Sequence, residues 1–525
     1  MTDISVEPLA GRQRGILGAI ERFGDRLPDP VMIFVWLIAA VMLLSVAGAA
    51  LQWSAINPVS REVIVAANLF SIENLRKLIA DMPRTLTGFA PLGYVLVVML
   101  GAGVAERSGF FGVAMRALVK DAPKRLLTPL LVFAGILGHS AADAAFVVVV
   151  PLGGIVFAAA GRHPLAGICA AFAGVGGGFS ANVIPSGLDA LLLGLTEPAA
   201  RLLDPGWTMN VAGNWWFILA MTFVFVPLAW AITDLIIEPR FGEWRPSGEA
   251  PLDASAAEIT PVEMKGLALA GLTALVIVAA FAVLAYPPLW GGADAPLYDS
   301  TQDSVERALT PFFQGFIALF FFLFLFCGIV FGAVTGVIKS TRDIVSMMSK
   351  SMGDMAYYIV LAFTAAHFVA LFNWSNLGII TAIAGAEGLR ATGLPAPVLL
   401  CALVLLAAFL DLFIGSASAK WAMLAPVLVP MLMLLGISPE MTTAAYRMGD
   451  SVANIVTPLM VYFPLTLAFA RRWDPQFGMG GLMAAMTPYT LWFLGAGLIM
   501  VFAWVLFGLP LGPGASIDYA LPEAP

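Results

Sequence analysis

The sequence predicts an all-α polytopic membrane protein: about nine transmembrane helices plus two re-entrant helical hairpins, arranged as an inverted structural repeat. Three observations predict it. Of 525 residues, 60% are hydrophobic and only 12% charged, whereas a soluble domain carries about a quarter charged residues. Apolar runs long enough to cross lipid recur along the whole chain, which excludes a soluble domain with a single anchor. Two further apolar segments, 126–160 and 396–437, are each too long for one straight span and too short for two with a loop. Each has a small-residue, polar break at its middle, the pattern of a helix that enters and returns on the same side.

In chain order, a polar segment 1–30 precedes expected spans at 31–51 and 88–105, hairpin 126–160, and spans at 165–195 and 212–236. The first half then closes at 237, and a linker, 238–263, follows. The second half, 264–510, holds spans at 264–286, 311–337 and 355–385, hairpin 396–437, and spans at 441–470 and 483–509, before a tail, 511–525. Lys and Arg gather on cytoplasmic loops. Arg107, Arg116, Lys120, Lys124 and Arg125 follow the second span, Lys339, Arg342 and Lys350 the sixth, and Arg471 and Arg472 the eighth. All three groups share one side only if both hairpins return to the side they left. This expectation places the N-terminal segment and the linker in the cytoplasm. It places the acidic loop 291–307 (Asp294, Asp299, Asp303, Glu306) and the tail (Asp518, Glu523) on the outer side. Loop 52–87 fits less well, since Arg61, Arg76, Lys77 and Arg84 fall on the outer side beside Glu62, Glu73 and Asp81.

Composition narrows the function classes. The net charge of −7 argues against nucleic acid as a partner. Cys169, Cys327 and Cys401 are scattered through apolar runs with neither metal nor disulfide spacing, and three histidines are too few for a His-based metal site. Gly174–Phe179 (GVGGGF) lacks the spacing of a nucleotide loop and reads as close helix packing or a break. With no ATP-binding domain, transport would be secondary, and no cofactor is expected beyond sodium or protons as coupling ion.

The halves echo each other. Hairpin tips GHSAADAAF (Gly138–Phe146) and GSASAKWAM (Gly415–Met423) are followed by breaks FSANVIPSGLD (Phe179–Asp189) and GDSVANIVTPL (Gly449–Leu459). Each break runs Ser, Asn, Pro: Ser180, Asn182, Pro185 and Ser451, Asn454, Pro458. Inverted repeats of broken helices place substrate and ion sites at the midplane.

Ionisable residues at membrane depth are functional candidates, because burying one costs at least about 2.5–3.5 kcal/mol. They are Asp143, Asp189, Asp411, Lys420, Arg447 and Asp450, with Lys420 near a tip that water could reach. Arg447 and Asp450 share a helix face, and Asn454 and Pro458 continue it at four-residue steps. They read as an anion-binding Arg beside an Asp that takes a proton or a cation, or else as a structural Arg–Asp pair. Ser416 and Ser418 at the second tip suit a carboxylate. Trp421 suits stacking on an aromatic ring, or an interfacial belt. Asn182 and Asn454 offer carbonyl oxygens beside backbone freed by proline, as sodium ligands or as helix bridges. Asn373, within the break Asn373–Asn376, joins either role, and His367 reads as a core histidine or a proton relay. An intramembrane protease is a poor reading, since Ser418 and Lys420 point apart on a helix.

GVGGGFSANVIPSGLD, FNWSNLG, IGSASAKWAMLAPVLVPML and AAYRMGDSVANIVTPLM together resemble the AbgT family of aminobenzoyl-glutamate transporters, over essentially the whole chain. The resemblance implies a homodimer of nine-helix, two-hairpin protomers and transport of p-aminobenzoyl-glutamate or related p-aminobenzoate compounds. It also implies, for some members, sulfonamide export driven by protons, and for others a link to sodium. The family's functional positions correspond here to Asp189, Ser418, Trp421, Arg447, Asp450 and Pro458. One departure is Lys420, where Gln is expected of the family. The competing reading is a sodium-coupled dicarboxylate or citrate carrier with the same two-hairpin architecture, which Trp421 and the NWSN break disfavour.

Overall fold

The computed structural model describes residues 29–56, 61–120, 122–138, 144–244, 259–302, 305–460 and 462–521. The segment 1–28, the first hairpin's tip with Asp143, linker residues 245–258, Asp303 and Glu523 lie outside the described residues.

The architecture is helical, with one small ribbon. Helix α1 (Pro30–Ala50) leads into strands β1 (Ser54–Ile56) and β2 (Val63–Val65), antiparallel with Ser54 opposite Val65. Then come α2 (Ile72–Thr87), α3 (Ala90–Arg107), α4 (Phe110–Lys120), α5 (Leu127–Gly138), α6 (Ala144–Ala159), α7 (Pro164–Phe172), α8 (Gly187–Ala200) and α9 (Trp215–Ile232). The second half supplies α10 (Pro261–Leu284), α11 (Phe316–Thr335), α12 (Thr341–Asp354), α13 (Ala356–Trp374), α14 (Leu377–Ala391), α15 (Ala396–Asp411), α16 (Ala417–Met433), α17 (Pro439–Ala453), α18 (Phe463–Arg471) and α19 (Met479–Leu506). By length and composition, seven helical runs of the described residues could cross a membrane: Pro30–Ala50, Ile72–Arg107, Trp215–Phe241, Pro261–Leu284, Phe316–Thr335, Ala356–Trp374 and Met479–Leu506.

Each hairpin segment supplies two helices, α5 and α6 in the first and α15 and α16 in the second, the second pair separated by a break at Leu412–Ser416. Three expected spans are interrupted. Segment 165–195 becomes α7, a π-helical turn Ala173–Gly177, an irregular stretch and α8. Segment 355–385 divides into α13 and α14, and 441–470 into α17 and α18. The glycine run serves close packing: a Cβ on Gly174 would lie 2.5 Å from the Val132 carbonyl oxygen of α5.

Three of the numbered helices, like β1 and β2, fall in stretches expected to be loops. α2, α4 and α12 are amphipathic and shorter than a membrane span, so a search for long apolar runs passes over them. α12 opens on a capping box, Ser340 with Asp343. The Lys339 and Ser340 backbone N–H groups donate to the Asp343 carboxylate and hold it below the usual carboxylate range. Residues 511–519 do not dangle: Ser438 N–H donates to the Ile517 carbonyl and Tyr519 N–H to that of Gly436, both at 2.8 Å, closing the tail over the end of the second hairpin.

Two large apolar clusters flank α17. Met441, Met448 and Val452 belong to one, with α5, α6, α7 and α9, while Tyr446 belongs to the other, with α1, α8, α13 and α16. α17 also packs tightly on the second hairpin, because a Cβ on Gly449 would approach the Val404 carbonyl of α15 to 2.1 Å. Gly449→Ala is therefore expected to destabilise the fold by about 1–3 kcal/mol, seen as a lower melting temperature in detergent. An unchanged melting temperature would show that this contact relaxes freely.

Candidate functional site

The two matched breaks meet. Ser451, near the end of α17, accepts from the Ser180 backbone N–H and donates to the Gly177 carbonyl, both at 2.9 Å. Four residues earlier, Arg447 Nη1 donates to Asp189 Oδ1 at 2.7 Å and Nη2 to the Ser180 carbonyl at 3.2 Å. Asp189 is held from its other side, where Oδ2 accepts from the Ser186 N–H at 2.7 Å and lies 3.1 Å from Ser186 Oγ. This capping box starts α8, so the local pattern Ser-x-x-Asp fixes the carboxylate before Arg447 reaches it. Arg447 Nε is buried without a hydrogen-bond partner.

One turn along α17, Asp450 faces the second hairpin. Lys420 Nζ lies 2.6 Å from Asp450 Oδ1 and also bonds Asp411 Oδ1. Asp411 ends α15 and Lys420 sits in the first turn of α16, so the ammonium ties the two arms of the hairpin together just behind its tip. Lys420 and Asp411 are 0% exposed and Asp450 2%. The expectation of a wetted Lys420 is thus corrected: the tip folds inward against α17, and both carboxylates draw the ammonium away from water. Arg447 and Asp450 do not pair with each other either. Each takes a partner from another element, Asp189 of α8 and Lys420 of α16.

Trp421 is wholly buried. Its ring stacks on Tyr446 at a centroid distance of 4.3 Å and 21°, and its Nε1 donates to Thr196 Oγ1 at 2.8 Å. Thr196 in turn meets Thr443 at 2.9 Å. One indole face is therefore covered by protein, and the interfacial-belt alternative does not describe this position. Tyr446 Oη lies 2.7 Å from the Ala417 carbonyl and 3.1 Å from Asp450 Oδ1, linking the indole to the carboxylate cluster. Tyr446 and Thr196 were not singled out in the sequence. Tyr446 stands one helical turn before Asp450, and that spacing is the signal that points to it. Thr196→Val strands the buried indole N–H and is expected to cost about 1–3 kcal/mol, measured as a fall in melting temperature. No fall would show that the indole finds another acceptor.

Ser416 caps α16, accepting from the Ala419 N–H at 3.3 Å, and its Oγ lies 3.3 Å from that of Ser418. Both hydroxyls are half-buried, at the tip. Thr457 Oγ1 donates to the Leu412 carbonyl at 3.3 Å, so the break carrying Pro458 rests on that tip. α17 ends at Ala453 with Asn454 as its C-cap in helical conformation, so the face shared by Arg447 and Asp450 reaches Asn454 but does not run on to Pro458. Asn454 is buried just past the helix end, and Asn182 is buried with Oδ1 accepting from the Val183 N–H at 2.8 Å. Asn373 is exposed, and its break points elsewhere: Asn376 donates to Val65, Ser375 accepts from Ala67, and Lys77 sits over the Trp374 ring. His367 Nδ1 bonds the Phe363 carbonyl, and its Nε2 is buried without a partner.

Beside the Arg447–Asp189 pair lies a crevice of about 20 Å³, lined also by Asn210, Asn214, Glu440 and Thr443. That is room for about one water molecule. Met209 and Asn210 form a wall common to it and to a larger cavity of about 570 Å³ bounded by Trp207, Asp299, Gln302 and Pro513.

A family model described as "AbgT putative transporter family" matches residues 15–519. The chain belongs to the AbgT family. A p-aminobenzoyl-glutamate transport protein of Escherichia coli (strain K12) is 36% identical over 507 residues, 97% of this chain and 98% of the relative. Among solved structures, the YdaH transporter of Alcanivorax borkumensis is 43% identical with a TM-score of 0.87, covering 93% of this chain and all of that one. MtrF of Neisseria gonorrhoeae, described within a class of antimetabolite efflux pumps, is 39% identical with a TM-score of 0.87, covering 95% of this chain and all of that one. At such identity over nearly full length, the AbgT fold extends through both hairpins and both breaks, and the chain is a multi-pass membrane transporter of that family.

Proposed function

We propose that this AbgT-family chain is a secondary carrier of p-aminobenzoyl-glutamate and related p-aminobenzoate-type aromatic carboxylates, sulfonamide antimetabolites included, coupled to a proton or sodium gradient. It works as a homodimer in a bacterial inner membrane, N-terminus cytoplasmic and C-terminus periplasmic, with the two halves as an inverted repeat. The observation that carries this reading is the buried Arg447–Asp189 bridge between the two breaks. A guanidinium binds a carboxylate through two parallel donors, so a substrate carboxylate competes with Asp189 for Arg447. Winning that competition removes one tie between the breaks and leaves the Ser451 hydrogen bonds to Ser180 and Gly177. Binding energy is thereby linked to movement of the half-helices, as a population shift requires. Ser416 and Ser418, at the N-terminal end of α16, add donors for a second carboxylate group. Both rings of the Trp421–Tyr446 stack are buried in this conformation, so an aminobenzoyl ring reaches them only when the breaks part.

Counterflow in proteoliposomes tests this. Vesicles loaded with unlabelled p-aminobenzoyl-glutamate are expected to accumulate the labelled compound transiently, with competition from p-aminobenzoate and none from succinate. Competition by succinate alone would replace this reading with a dicarboxylate carrier.

A further inference from the structure

Asp411, Lys420 and Asp450 form a group that makes none of the substrate contacts proposed above. The ammonium lies between carboxylates from two different helices, α15 and α17, with all three side chains out of contact with solvent. Two oxygen-bearing anions facing each other across a dry gap form a strong site for a small monovalent cation, because their repulsion must be neutralised. Here the chain supplies that cation itself. One ammonium against two ionised carboxylates leaves one negative charge, and Asp411 Oδ2, buried without a hydrogen-bond partner, is an acceptor open to a proton. The other groups around it add no compensating charge. Tyr446 contributes a neutral hydroxyl to Asp450, and the nearby Arg447 is already matched by Asp189.

We infer that Lys420 is a tethered counter-cation standing in the place of a bound sodium ion between Asp411 and Asp450, so that this carrier is blind to sodium and its charge triad instead takes up one proton. The inference rests on the reading of the chain as an ion-coupled carrier and decides its coupling ion. The proton balance is simple. A proton from water adds to one carboxylate, bringing the triad from net −1 to zero, and leaves again on the other side of the membrane. Sodium would have to compete with an ammonium that is covalently tethered beside both carboxylates.

The test needs no aromatic substrate. Purified wild-type protein in detergent is expected to show no saturable binding of ²²Na⁺, and no rise in melting temperature when choline chloride is replaced by sodium chloride at fixed pH. Lys420→Gln leaves two carboxylates and a neutral side chain of similar reach. It is expected to acquire saturable ²²Na⁺ binding and a sodium-dependent rise in melting temperature, both lost again when Asp411→Asn is added. Lys420→Arg, which keeps the charge, is expected to stay blind to sodium, and it serves as the fold control should Lys420→Gln prove too unstable to purify. Saturable sodium binding by the wild type or by Lys420→Arg, or none by a folded Lys420→Gln, overturns the inference. In proteoliposomes a pH gradient in sodium-free buffer is expected to drive flux, and flux driven by sodium alone also overturns it. Absence of p-aminobenzoyl-glutamate counterflow, with the sodium results as expected, counts against the proposed substrate and leaves the tethered cation standing.

Discussion

Arg447→Ala is expected to abolish p-aminobenzoyl-glutamate counterflow and to destabilise the fold by about 3–5 kcal/mol. The two effects have different origins. Stability falls because Asp189, 5% exposed, loses its guanidinium and becomes an uncompensated buried charge held only by the Ser186 cap. Transport falls because the group that exchanges Asp189 for a substrate carboxylate is gone. A double variant separates them. Asp189→Asn in the Arg447→Ala background removes the stranded charge, and its amide oxygen can still accept from Ser186, so the melting temperature is expected to recover most of the loss. Counterflow is expected to stay at zero. Recovery of flux along with stability would mean that Arg447 merely holds two breaks together, the structural alternative visible in the sequence. Normal flux in the single variant would remove Arg447 from the binding site altogether.

How much of this was legible from residue order follows a physical line. The hairpins, the long spans and both breaks were readable because each is a local property: apolar length, or Ser, Asn and Pro at fixed spacing. α2, α4 and α12 were not, because a short amphipathic helix is passed over by a search for long apolar runs. The candidates Asp189, Arg447 and Asp450 were legible as charges in apolar surroundings. Their partners were not. Periodicity reports which residues share a face of one helix, whereas Arg447 bonds a carboxylate 258 positions away and Asp450 bonds a lysine on another helix. For the same reason the sequence alone places Lys420 toward water. A lysine at a tip reads as solvated until Asp411, nine residues before it, turns out to face it across the hairpin. Asn373 failed in the opposite direction: its break resembled the other two in composition, yet it anchors the segment around Val65 and Lys77.

Asp450→Asn is expected to eliminate transport while leaving the melting temperature nearly unchanged, a shift worth less than about 1 kcal/mol. The charge count makes the difference from Arg447→Ala. Losing Asp450 does not strand Lys420, which keeps Asp411, and the cluster moves from one excess negative charge to none. The penalty that makes broken buried pairs costly therefore does not arise. An asparagine oxygen can still accept from Tyr446 Oη, which lies 3.1 Å from the present carboxylate. What disappears is the second carboxylate, and with it the excess negative charge that gives the site a reason to bind and release a proton. A transporter coupled at this position should then hold its substrate without being driven. Substrate binding to purified Asp450→Asn, followed by intrinsic tryptophan fluorescence, is expected to persist within about tenfold of wild type, a change of no more than about 1.4 kcal/mol. Gradient-driven flux through the same variant is expected to be absent. Undiminished flux would relocate coupling to another group. A melting temperature as low as that of Arg447→Ala would show instead that Asp450 is chiefly a structural counter-ion for the buried lysine.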